Sequence, residues 1–193
     1  MLKFLAYPLA AAIGYLVGSL NPAYFMGRLR GFDIRQTGSK NAGATNTVLS
    51  IGAVSGVLVM VLDILKMVLV LWCTEHMLPA LPGILIVAGL AALLGHCYPF
   101  YLQFRGGKGM ASYFGIVAYT LPPLAMAISF FVYWATSAII YFVWKQKKHV
   151  TTIGPLIGII YFWVFGTRPE YQWLGTAAGM TLCLCNLQKA RAA

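Results

Sequence analysis

The sequence predicts an all-α polytopic integral membrane protein of about seven transmembrane helices, with its N-terminus outside and its C-terminus inside. Apolar residues make up 60% of the 193 residues and charged residues only 9%, a balance that no soluble domain of this size needs. Apolar runs long enough to cross ~30 Å of hydrocarbon recur along the chain. The basic residues, once threaded through those runs, fall largely on one side.

The first span, residues 4–27, follows a single lysine and has no small-residue cleavage site before the next polar stretch. It reads as a retained helix rather than a removed signal peptide. A polar run, Gly38-Ser39-Lys40-Asn41-Ala42-Gly43-Ala44-Thr45-Asn46, separates it from the second span, 51–73, with a helix expected to begin near Leu49. The third span covers 82–99 and is followed by a second cationic run, Phe104-Arg105-Gly106-Gly107-Lys108-Gly109. The fourth, 110–121, is short and meets the fifth, 123–144, at Leu121-Pro122-Pro123. Proline ends one helix there and can open the next, which makes the pair a helical hairpin. Spans at 150–166 and 171–187 complete the chain. With no repeat, low-complexity tract or linker, residues 1–193 read as one transmembrane domain.

With the N-terminus outside, the inside loops carry Arg28, Arg30, Arg35, Lys40, Arg105, Lys108, Lys145, Lys147, Lys148, Lys189 and Arg191, eleven of the fourteen basic residues. Lys3 and Arg168 fall outside and Lys66 falls within a span. Such a bias marks the cytoplasmic face. Treating 110–144 as a single crossing would put Lys145, Lys147 and Lys148 outside. The net charge of +10 therefore speaks for cytoplasmic loops beside anionic lipid and against nucleic-acid binding.

The two polar runs carry the chemistry. In the first, Gly38 and Gly43 permit positive φ and close approach of backbone to a ligand. Ser39, Asn41, Thr45 and Asn46 offer hydroxyl and amide groups, and Lys40 supplies a point charge. Backbone amides leading into a helix can form an anion-binding concavity. An ordinary capped turn is the plain alternative, but no carboxylate lies between Asp33 and Asp63 to offset the cation. In the second run, Arg105 and Lys108 flank Gly106 and Gly107, so side-chain charge and exposed N–H groups are expected to converge, with Gly109 next in line. It is not a Walker loop, because glycine follows the Gly-Lys pair and no βαβ context exists.

Four further features are ambiguous or inert. Asp63 and Lys66, three residues apart inside a span, are either a structural ion pair or a substrate contact. His96 is a candidate general base or a histidine bonded to a carbonyl at a helix end. His76 and His149 read as loop residues. Cys73, Cys97, Cys183 and Cys185 show neither disulfide nor metal spacing and read as apolar fillers.

At these residues the chain resembles the acyl-phosphate-dependent glycerol-3-phosphate acyltransferases, the bacterial PlsY family. The resemblance runs through Gly18-Ser19-Leu20-Asn21-Pro22, Gly31-Phe32-Asp33-Ile34-Arg35, the Gly38–Asn46 run, Leu62-Asp63-Ile64-Leu65-Lys66 and the stretch from Gly95 to Ser112. It implies an inner-membrane enzyme of about seven helices, its active site facing the cytoplasm. That enzyme moves a fatty acyl group from acyl phosphate to the 1-hydroxyl of sn-glycerol 3-phosphate, giving lysophosphatidic acid in the first step of phospholipid synthesis. Carried over by position, Ser39 matches the family's essential serine, with Asn41, Thr45 and Asn46 among its polar partners. Arg105–Gly109 matches the glycerol-phosphate loop, and Asn186 matches an asparagine of a C-terminal motif. Two positions depart: Leu49 stands where a basic residue is usual, and Cys183 where histidine is. The motif's later glutamate has no counterpart before Ala193.

The expected catalytic residues are thus Ser39, Asn41, His96 and Lys108. Gly38, Lys40, Gly43, Thr45, Asn46, Arg105, Gly106, Gly107, Gly109 and Asn186 are expected to bind substrate. An acyl phosphate is already activated, so the protein need mainly orient the hydroxyl and neutralise two phosphates. No His-x-x-x-x-Asp signature exists, since Tyr101, Gly154 and Leu81 stand five after His96, His149 and His76. No metal or other cofactor is expected. The partners are the two substrates and membrane lipid. The rival readings are a lapsed, ligand-binding paralogue, favoured by Leu49 and Cys183, and a transporter of phosphorylated solutes, for which only Asp63 and Lys66 speak.

Overall fold

The structure, a computed structural model, describes residues 2–144 and 147–191; Lys145, one of the expected inside cations, lies outside the described residues. Among the described residues every regular element is helical: α1 (Leu2–Ser19), α2 (Pro22–Leu29), α3 (Ala44–Ser50), α4 (Ala53–Met77), α5 (Ile84–Cys97), α6 (Met110–Thr120), α7 (Pro123–Trp144), α8 (Lys147–Phe165) and α9 (Pro169–Arg191). Short 3₁₀ turns at Ile34–Gln36 and Phe100–Leu102 begin the two polar loops.

The stretches Lys3–Leu29, Ala53–Met77 and Ile84–Leu102 are long and apolar enough to cross a membrane, and shorter apolar helices cover Pro123–Tyr133 and Pro155–Phe165. α4 shows why such a helix belongs in lipid. One face buries Val59, Met67, Val70 and Leu71 in the core, while Val54, Val57, Leu58, Leu65, Leu69 and Trp72 remain exposed. A continuous apolar stripe of that size would be a liability in water and is an asset in hydrocarbon.

The expected span 4–27 is not one helix. It breaks at Leu20-Asn21, where Pro22 has no N–H for the preceding turn and Asn21 caps α2, its Oδ1 accepting from the Tyr24 amide at 2.8 Å. α3 likewise begins at Ala44 rather than near Leu49, so Thr45 and Asn46 are helical. His76 lies in the last turn of α4, stacked on Trp72 with ring centroids 4.8 Å apart, and His149 lies within α8; neither is a loop residue. The proline break at 121–122 is where it was expected, but α6 leans chiefly on α4 rather than on α7. Gly115 makes that possible, because a Cβ there would lie 2.6 Å from the Ile64 carbonyl oxygen.

The tightest helix pair is α1 with α5. Gly14 and Gly18, four apart, face Ala88 and Ala92, and a Cβ on them would come within 2.5 Å of Ala88 O and 2.1 Å of Ala92 O. Small residues at this spacing let backbones approach where no hydrophobic effect separates helix from lipid. Gly18→Val should therefore separate α1 from α5 and lower stability by about 3 kcal/mol, read as a fall in thermal midpoint in detergent. An unchanged midpoint would show the contact to be dispensable.

The far end of α4 from the loops is fastened separately. Arg168 pairs there with Glu75 and Glu170, and Tyr119 donates to Glu75.

Candidate active site

The first loop is organised by Asn46, which is fully buried at the start of α3. Its Nδ2 donates to the carbonyls of Ile34 at 2.7 Å and Thr37 at 3.1 Å, and its Oδ1 accepts from the Ser39 amide at 2.7 Å. The amide is thus occupied in shaping the loop rather than lining it. Gly38 adopts φ +52°, and a Cβ there would sit 2.3 Å from Asn46 Oδ1, so both conformation and space require glycine. Lys40 also takes a left-handed conformation, with φ 57°. Asn21 holds the middle of the loop, donating through Nδ2 to Ala42 O at 3.1 Å. The outcome is that the side chains of Ser39, Lys40 and Thr45 are exposed or half-exposed and that of Asn41 is half-buried, while Gly43 is buried beneath them.

Asp33 and Arg35 tie this loop to the next. Arg35 donates to both Asp33 carboxylate oxygens, at 2.7 Å for the shortest contact, and through Nη1 to Leu102 O at 2.8 Å. The Arg35 hydrogen bonds hold the Asp33 carboxyl below the ordinary aspartate range despite its burial. Because the folded-state value is the lower one, this stabilisation is present above about pH 4 and is lost as pH falls through the depressed value. Asp33→Asn should accordingly lower the thermal midpoint at neutral pH, and the gap to wild type should close in acid. A gap independent of pH would refute the ionic origin.

The second loop differs from expectation in one respect. The Gly106 amide donates to Cys97 O and the Gly107 amide to His96 O, both at 3.1 Å. Those N–H groups satisfy two of the last carbonyls of α5, which have no partner within the helix, and so do not face a ligand. The groups this loop leaves free to meet an anion are side chains. Arg105 is exposed and Lys108 half-buried, and neither forms an ion pair or side-chain hydrogen bond among the described residues. Burial holds the Lys108 ammonium below the ordinary lysine range.

Two residues of α9 support this loop. Asn186 Nδ2 donates to Lys108 O at 3.3 Å, so it fixes the lysine's backbone. Lys189 went unassigned in the sequence except as a topological charge. Its Nζ donates to Cys97 O and Gly106 O at 3.1 Å each and to Gly107 O, and it lies 5.3 Å from the Tyr98 ring centroid. No local pattern signals that role, because its three acceptors lie more than 80 residues away. Gly109, at φ +82°, lets the chain pass Leu182 and Cys97 into α6.

The loops meet at Gly107. A Cβ there would lie 2.8 Å from Ala42 O in the first loop and 2.2 Å from His96 Nε2 below. Under this seam, Lys66 Nζ contacts Leu20 O at 2.7 Å, Asp63 Oδ1 at 2.7 Å and His96 Nδ1 at 2.9 Å. Lys66 also touches an open apolar groove of about 510 Å³ lined by Leu20, Pro22, Leu62, Leu65, Val68, Leu69 and Trp72. Leu49 is exposed on α3, one turn from Thr45, and Cys183 is buried on α9. Among the described residues no group of three or more His, Cys, Asp or Glu side chains is arranged to hold a metal ion. The site therefore consists of cations without carboxylate partners and a serine hydroxyl above an apolar trough, a pattern suited to an amphiphile with an anionic end.

A family model described as glycerol-3-phosphate acyltransferase matches residues 8–192. The glycerol-3-phosphate acyltransferase of Thermosipho melanesiensis is 36% identical over 155 residues, which is 79% of this chain and 70% of that protein. The one from Myxococcus xanthus is 40% identical over 145 residues, 75% of this chain and 71% of that protein. The one from Anaeromyxobacter sp. (strain K) is 32% identical over 192 residues, 95% and 91% respectively. Among solved structures, PlsY (YgiH), an integral membrane glycerol 3-phosphate acyltransferase, matches in its glycerol 3-phosphate form with a TM-score of 0.79 and 27% identity. The match covers 96% of this chain and 90% of that one. Its lysophosphatidic acid form matches with a TM-score of 0.78.

Proposed function

The chain belongs to the glycerol-3-phosphate acyltransferase family, and from that premise we propose how it carries out its reaction. It is an integral membrane acyltransferase of phospholipid synthesis that acts on glycerol 3-phosphate. The lapsed-paralogue reading is not favoured, since acyltransferases align with up to 95% of the chain in spite of Leu49 and Cys183. In the proposed reaction the donor is acyl phosphate. The 1-hydroxyl oxygen of glycerol 3-phosphate bonds to the acyl carbon, the bond from that carbon to the bridging phosphate oxygen breaks, and inorganic phosphate leaves. The hydroxyl proton passes to a phosphate oxygen.

The observation that carries this reading is the seam at Gly107, which brings two cationic loops together beside an apolar groove. Arg105 and Lys108, with Lys40, neutralise the two phosphates. Ser39 orients a phosphate or hydroxyl without forming an acyl-enzyme, Asn41 and Thr45 add polar contacts, and the acyl chain lies in the groove. Asn46, Asn186 and the glycines hold the loops in shape. Residues 1–193 act as one domain that crosses the bacterial inner membrane seven times, N-terminus outside. The site then faces the cytoplasm, with Arg168 and Glu75 at the opposite surface.

Purified protein given glycerol 3-phosphate should release phosphate and lysophosphatidic acid in equal amounts from palmitoyl phosphate, and none from palmitoyl-CoA. Turnover with the thioester alone would overturn the proposed donor. Leu49→Arg adds a guanidinium one turn from Thr45 and should raise kcat/KM for glycerol 3-phosphate about tenfold; a fall would show that Leu49 belongs to a differently arranged site.

A further inference from the structure

Lys66 and Asp63 are expensive residues for a membrane-spanning helix, and their contacts fix the chemistry of His96. An ammonium has three N–H donors and no lone pair. The three nearest acceptors of Lys66 Nζ are Leu20 O at 2.7 Å, Asp63 Oδ1 at 2.7 Å and His96 Nδ1 at 2.9 Å. The lone pair of Nδ1 is therefore engaged, and the proton of the neutral ring resides on Nε2. The opposite tautomer would give Asp63 a longer contact, 3.3 Å, and would turn the Nδ1 proton toward the ammonium.

Nε2 faces the seam between the loops, where a Cβ on Gly107 would lie 2.2 Å from it and 2.8 Å from Ala42 O. It has no hydrogen-bond partner among the described residues, although the histidine is only 2% exposed. We infer that His96 is a fixed hydrogen-bond donor to a substrate oxygen, not the proton acceptor, and that Asp63 and Lys66 are positioning residues that set its tautomer. The inference rests on the acyltransferase reading for its ligand but not for its geometry. An imidazole locked in this way presents an N–H where negative charge must be held, and it cannot take a proton at Nδ1 without losing Lys66.

The tautomer can be observed directly. In His76→Gln/His149→Gln protein labelled with 15N-histidine in detergent, the remaining ring should show a pyridine-type Nδ1 and a protonated Nε2. Glycerol 3-phosphate or palmitoyl phosphate should shift the Nε2 resonance. Lys66→Met should release Nδ1 and produce a mixture of tautomers, a change that a merely structural lysine would not cause. In turnover, His96→Gln retains an amide donor and should keep at least about a tenth of wild-type kcat, whereas His96→Ala should lose about a hundredfold. A protonated Nδ1 in the wild type, or equal loss in the Gln and Ala variants, would overturn the inference. Absence of wild-type turnover with the expected tautomer intact would count against the acyltransferase reading instead.

Discussion

Ser39→Ala should lower kcat for lysophosphatidic acid formation by about a hundredfold or more while leaving the thermal midpoint within about a degree or two of wild type. The separation follows from how the residue is held. The loop is anchored through the Ser39 backbone, whose amide donates to the buried Asn46 Oδ1 at 2.7 Å, and alanine keeps that bond. The hydroxyl is exposed and has no partner among the described residues, so its removal leaves no buried group unsatisfied. Its loss can then be felt only by substrate. Mass spectrometry of the wild type during turnover should find no acyl group on Ser39; a stable adduct would replace the orienting role with a covalent one.

Gly107→Ala should cost more than the addition of one methyl group suggests, with a fall of at least about a hundredfold in kcat/KM. The new Cβ would meet His96 Nε2 at 2.2 Å and Ala42 O at 2.8 Å. The imidazole cannot swing aside, because Lys66, itself paired with Asp63, holds its other nitrogen. Nor can the second loop simply rise, because its carbonyls are held by Lys189 and its amides by the end of α5. The strain must open the seam, separating Arg105 and Lys108 from the first loop. Wild-type kinetics in this variant would mean that the loops work independently.

How much of this was legible depended on the range of the interaction. The membrane class and the two loops were readable because hydropathy, glycine and clustered cations are local signals. The break at Asn21-Pro22 was readable too, as a cap followed by a helix-opening proline, but the surrounding apolar run masked it. The Gly14 and Gly18 pair had a spacing that signals close helix packing in membranes. Other features had no sequence signal. Gly106 and Gly107 looked like free amide donors, yet the chain folds back so that they cap α5. Lys189 gave no sign of reaching the second loop, and Asn46 looked like a ligand contact, whereas its side chain is bonded to Ile34, Thr37 and Ser39 within the loop. His96 acquired a defined role only when Lys66, thirty residues earlier, was found against its ring.

In the proposed reading the two loops make one anion site, to which the first contributes Lys40 and the second Arg105 and Lys108. It is tested most directly by calorimetric titration of glycerol 3-phosphate into the purified wild type, Ser39→Ala and Arg105→Ala/Lys108→Ala. Removing two charge-assisted contacts should weaken binding by about a hundredfold, while Ser39→Ala, which leaves those cations in place, should stay within about threefold of wild type. Equal affinity in the wild type and the double variant would place the phosphate elsewhere and contradict the account.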